Sequence, residues 1–124
     1  MRRRDLALAV ECHWDGRRAT VVVSGEVDFA SAGILARHLD EVTCQEPGQL
    51  IVDLSRTSFL DAAGLRVIAR VRRVLAPQCP VVLRSPVRQV RMILEISGLA
   101  ELCTIEDPGE PGRQEPARVP RRLA

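Results

Sequence analysis

The chain has 124 residues, of which 46% are hydrophobic and 2% aromatic, and this composition predicts one globular domain with a largely aliphatic core. The formal net charge is +2, but the excess of positive charge lies near the chain ends, because residues 5–107 contain 11 arginines against 14 acidic residues. A mildly acidic central segment disfavours a nucleic-acid-binding domain. The four cysteines lack the spacing of zinc ligands or of a disulfide framework, and no apolar run reaches the roughly 18 residues of a membrane span, so we expect a cytoplasmic protein without metal, cofactor or membrane contact.

The chain begins with two β-rich runs, residues 6–12 and 19–25, which are predicted to pair as a hairpin. Asp15 and Gly16 supply the residue types that a tight turn between antiparallel strands favours. The sequence GEVD (residues 25–28) then ends the second strand.

A first helix is predicted within residues 29–45, directly after Asp28, whose side chain is suited to cap it. Pro47 and Gly48 end this helix. Its apolar residues recur at helical spacing and predict one buried stripe, formed by Ala32, Leu35, Leu39 and Val42.

The central segment predicts a buried strand, a connection and a second helix. Residues 50–54 (LIVDL) are an apolar run with one acid, which is typical of a strand covered on both faces. The connection SRTSFL leads to Asp61, which is placed to cap a helix that Pro77 ends. This helix has an apolar face with Leu65, Ile68, Val71 and Leu75, and an arginine stripe that is either solvated or partner-binding, with Arg66, Arg70 and Arg73.

The last part of the domain predicts a strand at residues 80–84, a third helix and a short final strand at residues 102–106. Ser85 is the expected cap of this helix and Pro86 its first residue, while Gly98 is suited to its C-terminal end. Its buried stripe is expected to contain Val87, Val90 and Leu94.

The resulting order, ββαβαβα(β), predicts a single α/β domain with a four- to five-stranded mixed sheet and helices packed on it. Strands that alternate with helices imply parallel pairing through right-handed crossovers. We assign residues 1–5 to a basic N-terminal extension, residues 6–106 to the domain, and residues 107–124 to a disordered tail rich in proline, glycine and arginine.

The sequence offers little for catalysis. Capping explains Asp28 and Asp61, whereas Asp53 inside an apolar strand requires polar partners or a position at the strand end. No phosphate-binding loop, activated nucleophile or metal-ligand set accompanies these acids, so we predict a protein that is not an enzyme. An enzyme that uses Asp53 or Asp61 is kept as a minor alternative.

Three segments carry a family resemblance: GEVD with the following FASAGILARHL, then LIVDLSRTSFLDAAGL, then RSPVRQVRMILEISGLAEL. Together they resemble the STAS domain, and in particular the bacterial anti-sigma factor antagonists. The central segment is the most specific match, since family members carry D-L-S-x-x-x-[FY]-[ILM]-D-[ST]-[ST]-G-L there. The resemblance covers residues 6–106 and implies a small STAS-like α/β domain.

The resemblance also implies a partner-switching function in the regulation of transcription. In this family an anti-sigma factor, which is a serine kinase of the GHKL ATPase type, holds a sigma factor inactive. The antagonist binds that kinase and frees the sigma factor. In phosphorylatable members the kinase modifies the first hydroxyl residue after the motif aspartate, and the modified antagonist then dissociates.

Carried onto this chain, the motif places Ala62 at the phospho-acceptor position and Ala63 at the second hydroxyl position. Because a methyl group cannot accept a phosphoryl group, the resemblance implies an antagonist that phosphorylation does not regulate. We expect a monomer or weak homodimer. The partner-binding residues implied by the resemblance are Asp28, Ser55, Asp61, Ala62, Ala63, Gly64 and Leu65.

Two alternatives remain open at this point. Ser55, Thr57 and Ser58 carry hydroxyl groups near the motif aspartate, and one of them could be phosphorylated instead of residue 62. A non-phosphorylatable scaffold or adaptor STAS protein within a signalling complex would also dispense with the acceptor hydroxyl.

Overall fold

In a computed structural model of the chain, residues 8–107 are described. They form one five-stranded mixed sheet with the spatial order β1-β2-β3-β4-β5, which confirms the predicted α/β architecture. The proposed extension at residues 1–5 and residues 108–124 of the proposed tail lie outside the described residues. The elements are β1 (Leu8–Asp15), β2 (Arg18–Val27), α1 (Ala32–Cys44), β3 (Gln49–Leu60), α2 (Ala62–Leu75), β4 (Val81–Arg84), α3 (Arg88–Ser97), α4 (Leu99–Leu102) and β5 (Thr104–Glu106).

The predicted hairpin is present, but its strands are longer than the sequence indicated. β1 pairs antiparallel with β2 along its whole length, and the connecting turn contains only Gly16 and Arg17. Gly16 has a φ of +63°, a conformation that glycine adopts without steric cost. Arg18 Nη2 donates to Asp15 Oδ2 at 3.0 Å, which ties the two strand ends together beside the turn.

The strands β2, β3, β4 and β5 are parallel and succeed one another in one direction across the sheet. Right-handed crossovers between such neighbours put their helices on the same side of the sheet. Accordingly, one aliphatic cluster joins buried residues of α1, α2 and α3 to alternate strand residues such as Leu50, Val52, Val81 and Leu83. Ile51 and Val82 point to the other face and are also buried, so LIVDL is covered on both sides as predicted.

β3 continues through the segment SRTSFL, which the sequence had suggested to be a connection. Two register shifts in the β2–β3 pairing each add one residue to β3. The buried positions from the first shift onward, Leu54, Thr57 and Leu60, are therefore spaced three apart. Because a regular strand buries every second residue, this spacing hid the strand from the periodicity of the sequence.

Thr57 stabilises this irregular part of the sheet. Its side chain is fully buried, and its Oγ1 donates to the Val23 carbonyl oxygen at 2.7 Å. We expect Thr57→Val, which keeps the shape but removes the donor, to lower the free energy of unfolding by about 1–2 kcal/mol because a buried carbonyl loses its partner. Urea denaturation checks this. Ser58→Ala is the matched control, since Ser58 is exposed and its hydrogen bond to the Gly25 carbonyl is longer, at 3.3 Å. If Ser58→Ala lowered the free energy of unfolding as much as Thr57→Val does, the explanation would be contradicted.

The start of the third helix differs from the prediction. Ser85 and Pro86 precede the helix, which begins at Arg88 after Val87. Ser85 has a φ of +51°, and its N–H donates to the Glu106 carbonyl at 2.6 Å, so it joins β4 to β5 and does not cap α3. Gly98, with a φ of +88°, ends α3 as predicted, and the chain then forms the short α4, which the sequence did not reveal.

The core is aliphatic, as the composition predicted. All four residues of the apolar stripe predicted for the first helix are buried. In contrast, the chain's aromatic residues are exposed, with Trp14 at 39%, Phe29 at 86% and Phe59 at 48% exposure. This chain has few aromatic residues and keeps them outside its core. Exposed aromatic side chains of this kind indicate contacts with other molecules.

Candidate functional site

Residues 61–65, here called the tip, join the end of β3 to the start of α2. Asp61 caps the helix as predicted: its Oδ1 accepts from Ala63 N–H at 2.9 Å and from Gly64 N–H at 3.3 Å. These two donors have no partner within the helix, so the carboxylate satisfies them and fixes the entry of the chain into α2.

The turn between β2 and α1, residues 28–31, is arranged differently from the prediction. Ser31, and not Asp28, is the N-cap residue of α1. Asp28 Oδ1 accepts from Ser31 N–H at 3.0 Å, while Asp28 N–H donates to Ser31 Oγ at 3.0 Å, so the two residues close a reciprocal turn before the helix. The Ser31 hydroxyl also lies 2.9 Å from the Glu26 carbonyl oxygen. Asp28 therefore shapes this turn and does not cap the helix directly.

Ser31 Oγ lies 3.0 Å from Asp28 Oδ1, and hydrogen bonds from this hydroxyl and from Ser31 N–H lower the pKa of Asp28 below its ordinary value of 3.8. A carboxyl group whose pKa is lower in the folded state stabilises the protein above its unfolded-state pKa and loses this effect as the pH falls through the folded-state value. We expect wild type to be more stable than Asp28→Asn at pH 7, with the difference shrinking below about pH 4. Urea denaturation between pH 7 and pH 2.5 measures it, and a constant difference would contradict the explanation.

The tip and the β2–α1 turn lie side by side at the same edge of the sheet. Asp61 N–H donates to the Val27 carbonyl oxygen at 3.1 Å, across the ends of β3 and β2. The two segments that carry most of the predicted partner-binding residues therefore form one surface. Ser55 lies six residues before Asp61 in β3 and is also exposed.

The tip residues differ in how far they reach solvent. Ala62 is exposed, Ala63 and Leu65 are half-buried, and Gly64 is buried. A Cβ on Gly64 would lie 2.5 Å from Leu60 Cδ1 and 2.7 Å from a Val27 methyl carbon. Gly64 thus lets the first turn of α2 pack closely on the core and supports the surface from below, while Ala62 presents a methyl group on it.

The three nearby hydroxyl groups have different surroundings. Thr57 is fully buried, which keeps its hydroxyl away from any kinase. Ser55 is exposed, but its Oγ donates to Asp53 Oδ1 at 2.7 Å, and its N–H donates to the same oxygen at 2.9 Å. Of these three hydroxyl groups, those of Ser55 and Ser58 are accessible. The two hydrogen bonds from Ser55 also give Asp53 the polar partners that an acid in this strand requires.

Two exposed aromatic residues adjoin the tip and were not among the predicted site residues. Phe29 follows Asp28 in the β2–α1 turn and is 86% exposed. Phe59 pairs with Glu26 in the sheet register, two residues before Asp61, and is 48% exposed. Both side chains could have been noticed from the sequence, because an aliphatic chain with three aromatic residues places two of them directly beside its two acidic turns. Exposed aromatic side chains are typical anchors of protein interfaces.

Potential metal-ligating side chains and two buried thiols lie within residues 8–107. No group of three or more potential metal-ligating side chains occurs within residues 8–107. Burial raises the pKa of the Cys103 thiol to about 11 and also raises the pKa of the Cys79 thiol, so neither is an activated nucleophile.

A family model for the STAS domain matches residues 14–108, which include the strands β2 to β5, all the helices and all predicted site residues. The chain belongs to the STAS domain family. The four parallel strands, the helices between them and the capped turn at Asp61 all lie within the matched residues.

Among curated STAS relatives, the chain is similar to the anti-sigma-F factor antagonist RsfB of Mycobacterium tuberculosis, in strains CDC 1551 / Oshkosh and ATCC 25618 / H37Rv. The sequences are 35% identical over 51 residues, and this match covers 41% of the chain. The chain spans less than half of the length of RsfB, since the match covers 42% of it.

Solved structures share this STAS fold along most of their length. An anti-sigma factor antagonist from Mycobacterium paratuberculosis superposes with a TM-score of 0.72 at 24% identity, covering 94% of this chain and 91% of its own. The unphosphorylated form of the anti-sigma factor antagonist SpoIIAA gives a TM-score of 0.70 at 20% identity, covering 90% and 99%. The phosphorylated form of SpoIIAA from Bacillus gives 0.63 at 19% identity, covering 86% and 98%. At these identities the similarity establishes the fold alone.

The helices of this STAS domain are short compared with a bilayer. Among residues 8–107, none is long and apolar enough to cross a membrane.

Proposed function

We propose that this STAS protein is a cytoplasmic anti-sigma factor antagonist that binds an anti-sigma factor serine kinase of the GHKL type and thereby frees a sigma factor. The proposed partner surface comprises Asp28, Ser55 and the tip, together with Phe29. The protein acts by binding and not as an enzyme, and it works as a monomer or weak homodimer.

We further propose that phosphorylation does not regulate this binding. The observation that carries this proposal is Ala62, an exposed methyl-bearing residue directly after the helix-capping Asp61, at the position that the family resemblance gives to the phospho-acceptor. The capped geometry that would present a hydroxyl to a kinase is kept, while the hydroxyl is missing. The partner surface therefore stays available in the presence of ATP.

Phe29 provides a test of the surface that does not depend on phosphorylation. Because 86% of its side chain is exposed, Phe29→Ala should leave the stability unchanged and weaken binding to the cognate anti-sigma factor at least tenfold. Trp14→Ala is the matched control, since Trp14 pairs with Ala19 at the opposite end of β2. Isothermal titration calorimetry measures both affinities, and equal effects of the two substitutions would contradict the placement of the surface.

The alternative is a scaffold or adaptor STAS protein, which the missing hydroxyls at positions 62 and 63 would equally suit. A scaffold forms a large stable assembly, whereas the proposed antagonist is small in solution. Size-exclusion chromatography with light scattering distinguishes the two. A stable homo-oligomer that does not bind an anti-sigma factor would replace the antagonist proposal by the scaffold.

A further inference from the structure

A surface groove runs between α2 and the α3–α4 corner, and it begins at the tip. It has a volume of about 210 Å³ and is lined by Leu65, Arg66 and Ala69 on one side and by Ser97, Leu99 and Leu102 on the other. Pockets for small molecules usually measure roughly 300–1,000 Å³, so this groove is better suited to a few side chains of a protein than to a free ligand.

The groove is apolar, and it offers its occupant almost no polar partners. Of its apolar lining residues, Leu102 is 51% exposed and Leu65 and Ala69 are half-buried. The Ser97 hydroxyl is already engaged, because it donates to the Leu94 carbonyl at 3.1 Å and accepts from Leu99 N–H at 3.3 Å. Exposed apolar side chains at a groove of this kind mark an interaction surface.

The walls of the groove restrict the conformation of the occupant. Both walls are helical, so no strand edge is present to pair with an extended peptide. An occupant must satisfy its own backbone hydrogen bonds, which an α-helix does. An amphipathic helix that lays its apolar side chains into a groove is a common mode of recognition.

The charge at the groove determines the polar edge of that helix. Arg66 is the one charged residue among the lining residues. α2 contains four arginines and no acid, and within residues 8–107 Arg66 and Arg73 form no ion pair, whereas Arg70 pairs with Asp40 at 3.1 Å. An acidic side chain on the occupant would therefore find an available guanidinium group at the rim.

We propose that this groove binds an amphipathic helix of the anti-sigma factor, with apolar side chains between α2 and α4 and a carboxylate against Arg66. The inference rests on the proposed function, because the helix belongs to the partner that contacts the tip. Leu65 connects the two surfaces, since it belongs to the tip and also lines the groove. The partner would thus make two adjoining contacts, one with the tip and one with the groove. The groove contact does not involve the phospho-acceptor position.

The test compares four variants with wild type by isothermal titration against the purified cognate anti-sigma factor. Leu102→Glu and Arg66→Glu alter the groove. Val74→Glu and Arg73→Glu are matched controls: both residues are exposed on α2, and Val74, at 61% exposure, borders a different cleft. All four substitutions replace exposed side chains, and thermal denaturation verifies that each variant is folded.

We expect Leu102→Glu and Arg66→Glu to weaken binding at least tenfold, the controls to stay within twofold of wild type, and Arg66→Glu to reduce the salt dependence of the affinity. If the groove variants bind like wild type while Phe29→Ala loses affinity, the groove is not a contact and the proposed function stands. Equal losses in all four variants would indicate a general charge effect and would overturn the groove. If wild type itself does not bind the anti-sigma factor, the proposed function fails and the inference fails with it.

Discussion

Replacing Gly64 by valine is expected to lower the free energy of unfolding by roughly 3 kcal/mol, at the upper end of the range for overpacked cores. The reason is the close approach of the first turn of α2 to two buried side chains. A Cβ at this position would lie 2.5 Å from Leu60 Cδ1 and 2.7 Å from Val27 Cγ1, and these residues are 2% and 0% exposed. Alanine should cost less, about 1 kcal/mol, because its helix propensity offsets part of the clash.

Gly33 is the matched control for Gly64. It also lies near the start of a helix, but a Cβ there would meet no atom within 4 Å. Gly33→Ala should therefore raise the stability by about 0.4–1 kcal/mol, since it restricts the unfolded chain without creating a clash. Urea denaturation of the single variants measures both effects. A Gly64→Val protein as stable as wild type would contradict the packing explanation.

The consequence for binding follows from where Gly64 lies. Because it is buried, a side chain at this position would displace Leu60, Val27 or the start of α2, and thereby the exposed Ala62. We expect Gly64→Ala, which still folds, to bind the anti-sigma factor more weakly than wild type although no contact atom is removed.

Restoring a hydroxyl at position 62 is expected to convert the protein into a kinase substrate. Ala62 is exposed and directly follows Asp61, so Ala62→Ser places a hydroxyl at the start of α2 without disturbing the core. Incubation with the cognate kinase and ATP should phosphorylate this variant and weaken binding at least tenfold. The phosphate adds about −1.5 to −2 charges to a neutral part of the contact surface, next to the Asp61 carboxylate.

The same phosphate should not unfold the domain, because a negative charge near a helix N-terminus is favourable. Loss of binding with an unchanged melting temperature therefore distinguishes release from unfolding. Ala63→Ser is the matched control: residue 63 is half-buried, its N–H donates to Asp61 Oδ1, and the family motif does not place the acceptor there. Phosphorylated Ala62→Ser that still binds with full affinity would contradict the proposed switch.

Several local features of this fold were predictable from the sequence, although the cap predicted at Asp28 was wrong because Ser31 takes that position. The turn at Gly16, the Asp61 cap and the Gly98 helix end each rest on one residue with a distinctive backbone preference, and all three are present. The aliphatic stripe of α1 follows from helical spacing alone and is also present.

The parts that depend on strand pairing were not predictable. The register shifts of β3 spread its buried residues three apart, so Leu54, Thr57 and Leu60 did not resemble a strand. Ser85 looks like a helix cap in the sequence, but its hydrogen bond to Glu106, 21 positions later, places it between two strands.

The candidate site shows the same division. The tip could be located from its motif, because its capping hydrogen bonds join residues two and three positions apart. The groove could not, because α2 and the α3–α4 corner that line it are separated by β4 in the chain. Phe29 lies in the turn before α1, which starts at Ala32 and not directly after Asp28, and its 86% exposure was not apparent from the sequence.

The main proposal for this protein is that its partner surface lacks a phosphorylation switch. It is tested most directly by incubating the wild-type protein with the cognate anti-sigma kinase and ATP, while the complex is followed over time and the protein is analysed by mass spectrometry. We expect a stable complex and an unmodified protein, including at the accessible Ser55 and Ser58. A phosphate on any residue, accompanied by release of the kinase, would contradict it.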